Sequence, residues 1–327
     1  MGIALAGMDL ASSVFLAPMA GITDLPFRRL VARYGAGLVV SEMVASGEML
    51  TARPSVRAKA RVDLGIGEGM TSVQLAGRQA APMAEAARMV ADMGAQIIDI
   101  NMGCPAKKVT GGLSGSALMR VPDHALRLIE AVVAAVSVPV TLKMRLGWDE
   151  GSLNAPDIAR SAEAAGVAMI CVHGRTRMQF YTGAADWAAI APVKAAVSVP
   201  VVANGDIVDA ATARAALAAS GADAVMVGRG ARGRPWVLAE IAHALGRGAA
   251  PNPPEGEALS DMISEHYEAM LNFYGVEVGR RHARKHLSWY AEAAQAPLRH
   301  EMMLADTPAA TLALIRAAFA SGERVAA

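Results

Sequence analysis

The chain has 327 residues, 54% hydrophobic and 19% charged, which is enough apolar side chain for a large core and excludes a disordered polymer. A net charge of +1 excludes a global basic field, so any contact with nucleic acid must be made by a local patch. Two cysteines, Cys104 and Cys171, are too few for a disulfide framework or a zinc cluster and point to a reduced, cytoplasmic protein.

Taken in order, the opening MGIALAGMDLASS has no basic stretch followed by a sustained apolar run, so no signal peptide is expected. No apolar run approaches the ~20 residues of a membrane span. Short apolar runs predict strands at 14–18, 38–41, 71–75, 97–101, 138–143, 168–173, 201–204 and 224–228. Ala-rich amphipathic runs between them predict helices, among them 82–93, 124–136, 158–165, 187–196 and 210–219. Eight β/α alternations favour an α/β fold of the (β/α)8 TIM-barrel type over an open doubly wound sheet. Polar or conformationally special residues, Glu42 among them, gather at the C-terminal strand ends, which in a barrel face one mouth. They include Pro18, Met19, Gln74, Asn101, Lys143, Arg145, His173, Arg175, Asn204, Gly205, Asp206, Gly228 and Arg229.

A Pro/Gly-rich stretch then breaks the pattern, and from there no strand-like alternation remains. The expected organisation is a barrel over 1–245, a linker over 246–258 and a helical domain over 259–327, with helices near 260–274, 276–292 and 308–320.

Cys104 follows the run Ile97-Ile98-Asp99-Ile100 and Asn101-Met102-Gly103, and precedes Pro105. A thiol just past a strand end, on a Gly-rich loop, is where an α/β enzyme places a reactive group, and a proton donor or nucleophile is the sharper reading beside a packed thiol. Gly111-Gly112-Leu113-Ser114-Gly115-Ser116 lacks the Gly-Lys-Ser/Thr of a P-loop and reads as a flexible lid. Cys171, inside Met169-Ile170-Cys171-Val172, reads as a buried structural thiol. The glycine-bearing turns at Asn204-Gly205-Asp206 and Gly228-Arg229-Gly230 either make tight turns or hold a phosphate on backbone N–H groups. Lys143 fits a Schiff base, a fixed charge beside an anionic ring, or a solvated strand end. Gln74 either bonds the edge of a heteroaromatic ring or finds a partner in the core. His173 is structural or catalytic with comparable weight.

Near the C-terminus, Arg280-Arg281-His282-Ala283-Arg284-Lys285-His286 precedes Trp289-Tyr290, a pattern able to grip an RNA backbone and stack on bases. Against it, residues 251–327 hold seven Lys or Arg and ten Asp or Glu, a balance of −3, so the basic cluster is a stripe on an acidic domain.

Leu16-Ala17-Pro18-Met19-Ala20-Gly21-Ile22-Thr23-Asp24, Asn101-Met102-Gly103-Cys104-Pro105, Lys143-Met144-Arg145, His173-Gly174-Arg175-Thr176, Ala203-Asn204-Gly205-Asp206 and Gly228-Arg229-Gly230-Ala231 together resemble the tRNA-dihydrouridine synthases. Ala106-Lys107-Lys108-Val109 and Arg284-Lys285-His286-Leu287-Ser288-Trp289-Tyr290 resemble the bacterial B-type branch. The resemblance implies an FMN-dependent barrel with a tRNA-binding helical domain; no obligate protein partner is evident from the sequence. NADPH would be the reductant, a hydride would pass from the flavin to C6 of a uracil in tRNA, and Cys104 would protonate C5. It also implies that Pro18, Met19 and Ala20 line the flavin ring and that Gln74 and Lys143 contact its polar edge. Asn204, Gly205, Asp206, Gly228 and Arg229 would hold the phosphate. Asn101, His173, Arg145 and Arg175 would lie by flavin and uracil, and Arg284 and Lys285 would meet the tRNA. The alternative is a flavin oxidoreductase acting on a free pyrimidine or another small molecule, for which the basic stripe and the helical domain have no use.

Overall fold

The computed structural model describes residues 3–51, 64–65 and 70–320. The chain opens with a small antiparallel hairpin, β1 (Ala4–Leu5) and β2 (Met8–Asp9). Parallel strands follow: β3 (Val14–Leu16), β4 (Leu38–Val40), β5 (Val44–Ala45), β6 (Thr71–Ala76), β7 (Ile97–Met102), β8 (Val140–Arg145), β9 (Met169–His173), β10 (Val201–Asn204) and β11 (Ala224–Val227). All but β5 form one closed ring, in which β4 pairs with β6 and β11 returns to β3. The fold is therefore the eight-stranded parallel barrel expected from the alternation, with β5 as a short parallel addition to β6.

The crossovers carry α1 (Leu25–Arg33), α2 (Ser46–Thr51), α3 (Ala80–Asp92), α4 (Lys107–Thr110), α5 (Pro122–Val133), α6 (Ala155–Ala164), α7 (Ala191–Ala196), α8 (Ala210–Ser220) and α9 (Val237–Ala244). Their starts follow local chemistry. Asp24 caps α1 by accepting from Phe27 N, and Asp209 and Thr212 form a capping box on α8. Proline sits in the first turn of α1, α5, α6 and α7, where its missing N–H costs nothing.

The strands alternate strictly. Val73, Leu75, Ile98, Ile100, Leu142, Met144, Ile170 and Val172 pack outward against the helices. Phe15, Ile97, Met169, Cys171, Val202 and Met226 fill the lower barrel, which the hairpin residues Ile3, Leu5 and Leu10 plug from below. Each of those plugs contributes about 1.5–3 kcal/mol of apolar burial. The same alternation turns Gln74, Asp99, Asn101, Thr141, Lys143, Arg145, His173 and Asn204 inward in the upper half.

Most strand ends fall within two residues of their expected spans, and the shift that matters for the site is that of the fifth barrel strand. Pro139 has no N–H to donate, so β8 starts at Val140 and runs to Arg145. Lys143 and Arg145 are therefore strand residues with fixed inward directions rather than residues beyond a strand end.

Beyond the barrel lie α10 (Gly256–Tyr274), α11 (Val276–Ala294), α12 (Arg299–Leu304) and α13 (Pro308–Phe319). Helix α10 starts within the stretch expected to be linker, directly after the prolines that cannot continue it, and residues 321–327 lie outside the described residues. The apolar cluster of these helices, including Met262, Ile263, Tyr267, Leu287 and Tyr290, also takes in Leu30 of α1 and Trp236 before α9, so it packs directly on the barrel. At the seam Gly233 has φ +71, and a Cβ there would lie 2.3 Å from Trp289 O. Only glycine permits that approach.

Candidate active site

Cys104 is a free, partly buried thiol at the upper end of β7. Asn101 Oδ1 accepts from Gly103 N at 3.2 Å and from Cys104 N at 3.0 Å, which turns the chain just before the thiol. From the other side, Ser116 donates to Cys104 O through its N (3.1 Å) and its Oγ (2.9 Å). Gly115, at φ +57, brings the chain so close that a Cβ would lie 2.8 Å from Cys104 O. The loop expected to be a flexible lid is thus fastened at its C-terminal end to the residue it follows. The single helical turn α4 leads directly into it.

Asn101 is held in turn from below. Its Nδ2 donates to Gln74 Oε1 at 2.7 Å, and Gln74 Nε2 donates to Asp99 Oδ2 at 2.6 Å. Thr141 Oγ1 donates to Asp99 Oδ1 at 2.6 Å. This chain gives both amides one self-consistent orientation, because the carboxylate can only accept. Burial pushes the Asp99 carboxyl up to about 6, against the two hydrogen bonds and the charge of Lys143. Gln74 is 1% exposed. Its amide bonds side chains of the barrel wall, the second of the two readings its sequence position allows.

Lys143 Nζ donates to Asn204 Oδ1 at 2.9 Å, and Asn204 Nδ2 donates to Met226 O at 2.8 Å. Arg145, 1% exposed, bonds three backbone carbonyls: Gly103 O (2.8 Å), Thr176 O (2.8 Å) and Phe180 O (2.9 Å). Burial pulls its guanidinium down to about 10, which leaves it cationic at neutral pH. It ties the Cys104 turn to the loop after β9, and its Cζ lies 5.6 Å from the Tyr181 ring. Arg175, equally buried, donates to both carboxylate oxygens of Asp206, at 3.1 and 2.6 Å, and to Thr182 O and Gly183 O. Asp206 also accepts from Arg229 at 3.0 Å and from Ala185 N at 2.8 Å. Burial acts to raise Asp206, but these donors outweigh it and hold the carboxyl below its usual range.

His173 accepts from Arg175 Nη1 at 3.3 Å through Nε2. Burial, followed by Lys143, Arg145, Arg175 and Arg229, holds the imidazole well below its usual range, so it is neutral at pH 7. Cys171 lies deeper, beside Met226, and burial pushes its thiol up to about 12. It is inert, as its apolar strand suggests.

Pro18, Met19 and Ala20 follow β3 and are pinned by Thr23, whose Oγ1 accepts from Met19 N at 2.8 Å. Gly21 N–H donates to Glu42 Oε1, and Gly21 O accepts from Lys285 Nζ of α11. Tyr274 donates to Asp24 Oδ2 at 3.0 Å. Lys285, read from the sequence as a tRNA contact, thus spends its ammonium on the first loop of the barrel, while Arg284 is exposed. Gly205 O accepts from Trp187 Nε1 at 2.8 Å. Among the described residues, no protein acceptor takes the N–H groups of Gly228, Arg229 or Gly230.

Sequence reasoning brought together Cys104, Asn101, Gln74, Lys143, Arg145, His173, Arg175, Asn204, Asp206 and Arg229, all of which lie around one mouth. It missed Asp99, Thr141 and Tyr181. An acidic residue in phase with Asn101 inside an apolar strand was the available signal for Asp99. Nothing local marks Tyr181, which reaches the mouth from a loop.

The dihydrouridine synthase (Dus) family profile matches residues 15–322. The chain belongs to the dihydrouridine synthase family. A protein of Rhodobacter capsulatus named probable tRNA-dihydrouridine synthase is 74% identical over 323 residues, covering 99% of each chain. A protein of the same name from Rhizobium leguminosarum bv. phaseoli is 60% identical over 87% of each chain. The tRNA-dihydrouridine synthase B of Xanthomonas campestris pv. campestris is 51% identical over 94% of this chain and 92% of that protein. Among solved structures, a 2-naphthoyl-CoA reductase complex aligns with TM-score 0.58 at 14% identity, over 74% of this chain and about half (51%) of that one, and shares the barrel fold. For a dihydrouridine synthase, the mouth offers one exposed-side thiol, a neutral imidazole and several fixed cations around the upper barrel. Among the described residues no helix is long and apolar enough to cross a membrane.

Proposed function

We propose that this protein reduces a uridine of tRNA to 5,6-dihydrouridine, with NADPH as reductant and FMN held in the barrel mouth. The observation that carries the reading is the fixed, free thiol of Cys104 beside a cationic mouth, in a chain 74% identical to a protein named probable tRNA-dihydrouridine synthase. The residues fit a phosphorylated flavin. Among the described residues, three consecutive N–H groups lack acceptors beside the half-exposed Arg229, and the Lys143 ammonium has one acceptor, which leaves donors for an anionic ring. When bound, FMN supplies the hydride that goes to C6 of the uracil.

Each protein group has a task. Gly228, Arg229 and Gly205 hold the phosphate, and Asp206 keeps Arg229 and Arg175 in place rather than meeting the phosphate through its own carboxylate. Pro18, Met19 and Ala20 line the ring, and Lys143 offers positive charge to its polar edge. Gln74 acts one step away, through Asn101. His173, Arg175, Arg145 and Asn101 border the uracil, which must leave its stack to enter the mouth. Cys104 breaks its S–H bond to form the C5–H bond, and the thiolate left behind regains a proton from solvent before the next turnover. The helical segment 259–327 serves as the tRNA-binding domain, reached through the exposed Arg284. A cytoplasmic setting keeps both thiols reduced.

The test is mass spectrometry of unmodified tRNA incubated with the protein, FMN and NADPH. New dihydrouridine is expected, and Cys104→Ala should lose about 10²-fold or more of it while still oxidising NADPH. Free uridine reduced as efficiently as tRNA would refute the RNA substrate in favour of a small-molecule oxidoreductase.

A further inference from the structure

The helical region meets the barrel at two adjacent loops of the mouth. Lys285 and Tyr274 reach the loop after β3, and Trp289 stacks with Arg232 in the loop after β11, with Arg232 Cζ 4.9 Å from the ring. The loops after β7, β8 and β9 lie across the ring of strands from this seam, and they carry a second cation–aromatic cluster. The guanidinium carbons of Arg120 and Arg177 lie over the Trp148 ring, 4.9 and 4.8 Å from its centroid.

The cluster is built into the same framework as the thiol. Arg177 Nη2 donates to Pro105 O at 3.2 Å, one residue past Cys104. Arg177 N donates to Gly147 O (3.0 Å) and Met178 N to Trp148 O (2.9 Å), which pairs the two loops. Asn154 Nδ2 donates to Met119 O at 2.7 Å and fixes the turn that ends at Arg120. The arginines themselves are under-used. Among the described residues neither has a carboxylate at ion-pair distance, and the buried Arg177 Nε has no acceptor. Asp149, next to Trp148 in sequence, accepts from Ser152 Oγ at 2.7 Å. Lys107 and Lys108 extend the exposed positive rim just after Pro105.

We propose that Arg120, Arg177 and Trp148 form a second RNA-backbone site, across the mouth from the helical region, for the nucleotides flanking the reduced uridine. The proposal rests on the tRNA reading above. A base drawn into the mouth leaves its strand running away on both sides. The helical region can guide one side only, and the other must cross the opposite rim, where these arginines stand. A guanidinium already stacked on an indole has less rotamer freedom to lose, and its planar fork matches two phosphate oxygens. Two guanidinium groups without a carboxylate among the described residues, one of them bonded to Pro105 O next to Cys104, are what a phosphodiester strand would require.

The experiment is fluorescence anisotropy of a labelled, unmodified tRNA transcript over a range of NaCl concentrations, with the full chain. Arg120→Ala should weaken binding roughly tenfold and flatten the slope of log K against log salt by about 0.7–0.9. NADPH oxidation in the absence of tRNA should be unchanged. Arg120→Glu should weaken binding further. Arg120→Lys, which keeps the charge without the planar stack, should recover part of the affinity but the full salt slope. Trp148→Leu should act in the same direction as Arg120→Ala, and if it fails to fold the three Arg120 variants still decide. Wild-type affinity and slope in both Arg120→Ala and Arg120→Glu would overturn the proposal. A wild-type protein that neither binds nor reduces any tRNA would instead overturn the functional reading, so the two failures are distinguishable.

Discussion

His266 offers a measurable test of the seam between barrel and helices. It lies 3% exposed on α10, with Nδ1 2.9 Å from Tyr290 Oη and Nε2 unpartnered. Its ring packs against Phe27 of α1 and His286 of α11, at centroid distances of 5.8 and 5.0 Å. Burial, and then the charge of Arg33, pulls its imidazole down to about 3. The fold therefore holds it neutral, whereas the unfolded chain protonates it near 6.5. Below that value the unfolded state binds more protons than the native one, so stability falls as pH falls. At about pH 5 the loss is about 2 kcal/mol, from one and a half pH units at 1.36 kcal/mol each. His286 is held neutral in the same way, by burial first and then by His266 and Lys285. Asp99 works in the opposite direction over this range, because its carboxyl takes up a proton in the fold before it does so in the unfolded chain. The comparison of wild type with His266→Gln, which keeps a hydrogen-bonding group for Tyr290, cancels the Asp99 contribution and leaves in place the burial that dominates at His286. Urea unfolding followed by tryptophan fluorescence, with Trp289 and Trp236 at this seam, gives the stabilities. Between about pH 7.5 and pH 5 the wild type should lose about 2 kcal/mol more than the variant. Parallel losses within about 0.5 kcal/mol would refute the buried neutral imidazole.

Gln74→Leu leaves Asp99 and the Asn101 amide each short of a partner; it should cost roughly 2–4 kcal/mol in unfolding free energy and slow base reduction more than NADPH oxidation, since Asn101 then holds the Cys104 turn less firmly. Equal slowing of both half-reactions would count against that route to the thiol. Lys285→Met frees Gly21 O and should weaken FMN binding a few-fold in a fluorescence titration, with no change in the salt slope of tRNA binding. A flatter salt slope with unchanged FMN affinity would return Lys285 to the RNA-contacting role its sequence position suggested.

The sequence alone carried the periodicities and the chemical types. Eight apolar runs of strand length, alternating with Ala-rich helical stretches, are local patterns, and they were enough for a parallel barrel with one functional mouth. The polar residues near the strand ends were legible for the same reason, because an uncompensated Asn, Lys or His beside an apolar strand stands out one residue at a time. Partnership is different. Asp99, Gln74 and Asn101 become one chain of hydrogen bonds only when β6 and β7 pair in the register that sets Gln74 opposite Asp99, and Thr141 joins only because β8 pairs on the other side. Proline at 139 moved that strand by two positions and turned Lys143 and Arg145 from end residues into wall residues. The uses of Lys285, Arg145 and Arg177 were equally hidden, because each cation ends on a backbone carbonyl of a distant loop. A carbonyl looks the same at every position of a sequence, so only the folded chain decides which one a long side chain meets.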